Sequence, residues 1–226
     1  TQEQFKDDSY WNLYSTTISS SYLNKTSASS FPSNTNLVGH WSFDASGSTI
    51  EDLSGNSNTA YVVNGATYIT GVSSSINHLN KAVSLDSSSV QHVSMSHNST
   101  LAVTTESLSI STWTKWNTNI GDGNGFTQLF GRRVGSSADY FFGLTDNNDK
   151  LYYRVYTGSA TDTELEVATG NNEAKKDGLW HHYVLTHDRS AGTVVFYRDG
   201  EVVKTETDAK WKSGSYASTN NATIGY

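Results

Sequence analysis

From Leu37 onward, apolar residues alternate with small or polar ones in short runs, the period of a strand with one buried face. Leu37–Phe43 is the first such run. Others are Lys81–Leu85, Val90–Met95, Ser107–Trp116, Phe126–Phe130, Tyr140–Leu144, Leu151–Tyr156, Trp180–Thr186 and Thr193–Tyr197. Turn residues separate them. Asp199-Gly200 between Val194–Tyr197 and Glu201–Val203 predicts a two-residue hairpin. Asp146–Asp149 predicts a slightly longer one. Strands at this spacing without helical segments between them predict an all-β sandwich or barrel. Residues 1–36 differ. Trp11, Tyr14, Ile18 and Tyr22 fall on one face of a helix, Asp7, Asp8 and Ser9 can cap it, and Ser27–Asn36 with Pro32 reads as a linker. The expected division is a helix and linker over 1–36 and one β domain over 37–226.

Composition narrows the classes. The chain has 226 residues, no cysteine, 12% aromatic residues and a net charge of −7. Aromatic content on this scale belongs to a folded chain. The absence of cysteine excludes disulfides, cysteine-ligated zinc and thiol catalysis. The negative balance excludes a basic nucleic-acid footprint. No apolar run is long enough to span a bilayer. Low charge with abundant Ser, Thr and Asn suits an extracellular or surface-displayed protein.

Several segments occur together in a familiar order. They are Leu37–Asp44, Asp52–Asn58, Ala82–Asp86, Ser107–Trp113, Trp180–Asp188 and Val195–Gly200. This series resembles the laminin-G-like branch of the concanavalin A-like lectin/glucanase superfamily over about residues 37–226. The resemblance implies a jelly-roll sandwich of two antiparallel sheets, a non-enzymatic module that binds carbohydrate or protein. Relatives usually finish with a further strand after the counterpart of Ala222–Tyr226, packed beside the first strand, and the chain stops before it. Either the chain is cut short of that strand, or residues 1–36 or a partner chain supply the edge.

Four constellations carry candidate chemistry. Asp44, Asp52, Asn56 and Asn58 gather oxygen donors of the kind calcium takes, and relatives often hold a structural calcium near this segment; the alternative is an Asx-turn loop. Leu151, Tyr153 and Val155 fit the core side of their strand, which leaves Tyr152, Arg154 and Tyr156 on the other face, with Arg132 and Arg133 ending a preceding strand. Tyrosines with arginines suit a glycan, including a sialylated one whose carboxylate pairs with a guanidinium; the alternative is an ordinary solvated sheet face. Loops 117–125, 134–139, 157–163 and 171–177 are expected to rim this site. Asp162, Glu164 and Glu166 share one strand face at the spacing of an acidic glucanase triplet, but their order and flanks depart from it, and a solvated acidic strand is the favoured reading. His181 and His182 are adjacent and point to opposite faces, so they form no metal pair. Trp41, Trp113 and Trp180 match core positions of the family, whereas Trp116 and Trp211 are less determined and are expected to be exposed near loops.

The functional expectation is a lectin module of a surface or pilus-associated adhesin that binds glycans. A laminin-G-type protein-interaction module is the alternative, and a polysaccharide hydrolase ranks third. Residues 5–23 also look somewhat like the soluble remainder of a type IV pilin helix.

Overall fold

A computed structural model of the chain describes residues 36–72, 80–102, 106–116, 126–134, 137–145, 148–156, 164–212 and 220–225. The amphipathic segment expected over 1–36 lies outside them, except for its last residue. The strands are β1 (Thr49–Ile50), β2 (Ala60–Val63), β3 (Thr67–Thr70), β4 (Lys81–Ser84), β5 (His92–Met95), β6 (Leu108–Lys115) and β7 (Phe126–Val134). They continue with β8 (Ser137–Thr145), β9 (Lys150–Tyr156), β10 (Glu164–Ala168), β11 (Trp180–Asp188), β12 (Thr193–Arg198), β13 (Glu201–Thr207) and β14 (Ala222–Ile224). Among the described residues, helix is confined to short 3-10 turns at Ser87–Ser89, Ser99–Leu101 and Ala209–Lys212. None is long and apolar enough to cross a membrane.

The chain divides into two compact units. The first holds the described parts of Thr1–Thr59 and Thr67–Ser84. Here β3 and β4 form an antiparallel pair with Thr67 opposite Ser84. The run Leu37–Phe43, expected as a strand, is not one. Side chains have taken its backbone groups. Asn56 Nδ2 donates to Leu37 O at 2.8 Å, Asn58 Nδ2 to Val38 O at 2.7 Å, and His40 N to Asp52 Oδ1 at 2.9 Å. Phe43 sits at φ 60°, which breaks an extended run. Gly39 has no alternative: a Cβ there would meet the Trp41 ring at 2.2 Å.

The second unit, Ala60–Ala66 and Leu85–Tyr226, is the jelly-roll sandwich. One sheet runs β2-β5-β14-β7-β8-β9-β10 and the other β13-β12-β11-β6, with neighbours antiparallel. β14 is an interior strand, flanked by β5 and β7. The β12–β13 hairpin forms as expected, with Asp199 and Gly200 at φ 52° and 86°, the left-handed pair that a tight twisted hairpin needs. Between the sheets lie Phe142, Tyr153, Tyr183, Leu185, Val194 and Phe196, all fully or almost fully buried. The Phe142 and Phe196 rings meet across the sandwich at 6.2 Å.

The tryptophans invert part of the expectation. Trp113, assigned to the core, is 41% exposed, while Trp116 and Trp211, expected near loops, are buried. In β6 Leu108 and Ile110 face inward, so Trp113, of opposite parity, must face out. Trp211 comes from the 3-10 turn after β13 and stacks on Tyr153 at 5.9 Å. Trp41 and Trp180 are of intermediate exposure.

Candidate functional site

β9 places Leu151, Tyr153 and Val155 inward and Tyr152, Arg154 and Tyr156 on the opposite side. The register sets Arg154 opposite Phe141 of β8 and Glu166 of β10. One network results. Arg154 Nη2 lies 2.9 Å from Glu166 Oε2, Arg154 Nε and Nη2 donate to Tyr152 Oη at 3.0 and 2.6 Å, and Nη1 donates to Tyr156 Oη at 3.2 Å. The Tyr152 hydroxyl donates to Glu166 Oε2. Arg154 also lies over the Tyr152 and Tyr156 rings, 5.2 and 5.9 Å from their centroids.

Access is uneven across this group. Tyr152 is buried and packs edge-on against Phe141, also buried, at 6.1 Å. Gly143, opposite Tyr152, makes room, because a Cβ there would meet Thr127 O and the Phe141 ring. Tyr152 therefore positions Arg154 and Glu166 and does not offer its ring to a ligand. Glu166 is the open end, with 53% of its side chain exposed against 19% for Arg154. The Tyr152 hydrogen bond, with Arg154 beside it, holds the Glu166 carboxyl below its ordinary range despite partial desolvation. Burial pushes the Tyr152 hydroxyl well up. At neutral pH the face thus carries a compensated carboxylate–guanidinium pair.

The arginines on β7 do not join it. Arg132 is fully buried and pairs with buried Asp139 at 3.1 Å. Its Nη2 meets His97 Nδ1 at 2.6 Å, and Nε and Nη2 donate to Asn220 O. Its expected role as a ligand contact gives way to an internal tie among β7, β8 and two loops, since all of its nitrogens face protein. Arg133 has its backbone in β7, and its side chain lies outside the described residues, as do loops 117–125 and 157–163.

The four residues expected to hold calcium are engaged as a turn. Asp52 Oδ1 accepts from His40 N and Ser54 N, and Oδ2 from Ser54 Oγ and Asn58 N, all at 2.8–2.9 Å. Four donors saturate a carboxylate. Asp44 Oδ1 accepts from Lys81 N, and Lys81 Nζ donates to Ala45 O, which brings an ammonium into the same loop. The amide nitrogens of Asn56 and Asn58 hold Leu37 and Val38, as above. This donor set does not fit a cation at Asp52, and the Asx-turn alternative describes the segment. Chelation with EDTA is expected to leave the unfolding midpoint where added calcium leaves it. Asp52→Ala is expected to cost roughly 1.5–3 kcal/mol. A midpoint that drops with EDTA contradicts this.

The acidic triplet is only partly placed. Asp162 and the Glu164 side chain lie outside the described residues. Glu166, bound to Arg154 and Tyr152, is held ionised, the reverse of what a general acid in glycoside hydrolysis needs. Phe141 was not identifiable from the sequence as part of this face, because its neighbours Tyr140 and Phe142 are equally apolar and only the cross-strand register separates them.

A laminin-G family model, described as concanavalin A-like lectin/glucanases superfamily, matches residues 86–226. No curated protein matches the chain by sequence. Among solved structures, the binding domain of botulinum neurotoxin serotype G superposes with a TM-score of 0.53 at 17% identity, covering 78% of this chain and 40% of that one. The chain thus spans well under half the length of that toxin domain. The Ruminococcus gnavus IT-sialidase CBM40 bound to alpha2,3 sialyllactose superposes at TM-score 0.40 and 13% identity, over 56% of this chain and 66% of that one. The family match covers more than half the chain and nearly the whole jelly-roll unit, so this protein belongs to the concanavalin A-like lectin/glucanase superfamily, in its laminin-G-like branch.

Proposed function

We propose that the chain is a carbohydrate-binding module, displayed outside the cell as part of an adhesive surface or pilus protein, and that it binds glycans without turning them over. The observation that carries this reading is the Arg154–Glu166–Tyr156 group. A carboxylate, a guanidinium and a phenol are held in one network on the sheet face away from the core, and both Glu166 and Arg154 reach solvent. A sugar presents neighbouring hydroxyls and an apolar C–H face. Glu166 accepts from hydroxyls, Arg154 donates to them, and the Tyr156 ring lies beside them. The group is fixed before the ligand arrives, so little ordering entropy opposes binding.

The network also bears on ligand charge. The Arg154 fork already faces the Glu166 carboxylate, so a sialic acid carboxylate would have to displace it. The favoured ligand is therefore a neutral glycan. Affinity per site is modest, and multivalent display raises it. The test is titration of a bound neutral oligosaccharide into wild type, Arg154→Ala and Glu166→Gln. Each variant is expected to weaken binding by about ten- to a hundredfold while its unfolding midpoint stays close to wild type. Unchanged affinity in both variants would overturn the site. Tight, deglycosylation-insensitive binding to one purified protein would favour the protein-interaction reading instead.

A further inference from the structure

The outward face of the β6–β11–β12–β13 sheet has no part in the network above. β6, β11 and β12 alternate, with Leu108, Tyr183, Leu185, Val194 and Phe196 buried inside, while the β12–β13 register shifts between Phe196 and Tyr197. The outward row therefore combines aromatic and hydroxyl side chains. Trp113 stands directly opposite His182 in the register, and their rings stack at 5.0 Å and 26°. His182 is itself fixed: Ser111 Oγ meets its Nε2 at 2.8 Å, and its backbone N donates to Asp199 Oδ1 at 2.9 Å. The indole is thus held in one orientation and remains 41% exposed. On the same face, Val184 pairs with Tyr197 and Tyr197 with Val202, which is 56% exposed.

Charge on this face lies at the strand ends. In β6 and β11 the outward positions carry Lys115 at one end and Asp188 at the other, and the Asp199 carboxylate, at the β12–β13 turn, lies against the His182 backbone. Burial pushes the His182 imidazole below its ordinary range, so it is neutral at neutral pH. A face with a stacked, exposed indole, flanking Ser and Thr hydroxyls and charges of both signs confined to the strand ends offers no single-sign patch to a charged partner. It complements a ligand that alternates apolar C–H faces with hydroxyls. Tyr197 lies two strands from Trp113, a lateral distance of roughly 10 Å, which lets one extended chain touch both.

We propose that this face is a second carbohydrate surface, on which an uncharged polysaccharide lies with a ring against Trp113 and continues toward Tyr197. It is separate from the Arg154–Glu166 group and does not depend on it.

The test uses the full chain in affinity electrophoresis through gels containing xylan, a mixed-linkage β-glucan, glycol chitin or dextran, with wild type, Trp113→Ala, Trp113→Phe and Arg154→Ala side by side. Wild type is expected to be retarded by at least one of the four. Trp113→Ala should lose that retardation by about tenfold in apparent Kd, Trp113→Phe should retain part of it, and Arg154→Ala should keep it. Trp113 is exposed, so thermal unfolding should show Trp113→Ala folded. The proposal is overturned if no gel retards wild type, or if Trp113→Ala migrates as wild type does. Retardation lost only in Arg154→Ala also overturns it and leaves the first site standing. A Trp113→Ala change seen only in self-association overturns it in favour of a contact between copies.

Discussion

Asp139→Ala is expected to destabilise the jelly-roll unit by roughly 3–5 kcal/mol. Asp139 and Arg132 are both buried, and their side chains meet at 3.1 Å. Removing the aspartate takes away the carboxylate that faces this guanidinium inside the protein and leaves it beside His97 and the Asn220 carbonyl. Desolvation makes an unpaired charge there far more costly than the loss of one surface ion pair. Removing both members tests the same reasoning from the other side. Arg132→Met combined with Asp139→Leu is expected to cost much less than either single change, because no charge remains to be compensated. Urea unfolding of Asp139→Ala, Arg132→Met, Asp139→Leu and the double variant measures this. A single-variant loss under about 1 kcal/mol contradicts the buried pair.

Trp211→Ala is expected to cost about as much, roughly 3–5 kcal/mol, through the cavity it leaves. The indole is fully buried, stacked on Tyr153 and edge-on to His187 at 5.6 Å. The same cluster is sensitive to acid. His187 Nε2 donates to Trp211 O at 2.9 Å, and its Nδ1 accepts from the Tyr153 hydroxyl at 3.1 Å. Both contacts suit neutral imidazole, and burial depresses the His187 pKa. The unfolded chain then takes up the proton first. His187's contribution is complete above the ordinary histidine value of about 6.5 and declines as pH falls from there toward its lowered folded value. An unfolding midpoint that does not fall over that window, or a Trp211→Ala protein as stable as wild type, contradicts this packing.

What the sequence made legible depended on local period. The alternation in Leu151–Tyr156 placed Tyr153 inside and Arg154 outside, and Asp199-Gly200 marked its hairpin, because both features are set by neighbouring residues. The same logic, followed through β6, would have placed Trp113 outside with Ser109 and Ser111; the family likeness pulled it inward. Trp211 had no period to read, since it lies in a 3-10 turn and its burial is decided by Tyr153 and His187. Leu37–Phe43 has the pattern of a strand, yet side chains of Asp52, Asn56 and Asn58 satisfy its backbone. Arg132 and Arg133 read as equals in sequence. The partners that bury Arg132 are His97, Asp139 and Asn220, two of them far away along the chain.

The Arg154–Glu166 pair has the same two aspects. Its strand face was legible from β9 alone, whereas the pairing of Arg154 with Glu166 comes from the β9–β10 register. That pairing turns a cationic patch suited to carboxylates into a compensated one suited to hydroxyls. A glycan array of neutral and sialylated structures, probed with folded Trp113→Ala and with Trp113→Ala/Arg154→Ala so that the Trp113 surface contributes to neither, measures this directly. Selective binding to neutral glycans that is lost when Arg154→Ala is added is the predicted result. Binding confined to sialylated glycans, or binding that the added Arg154→Ala leaves intact, would contradict it.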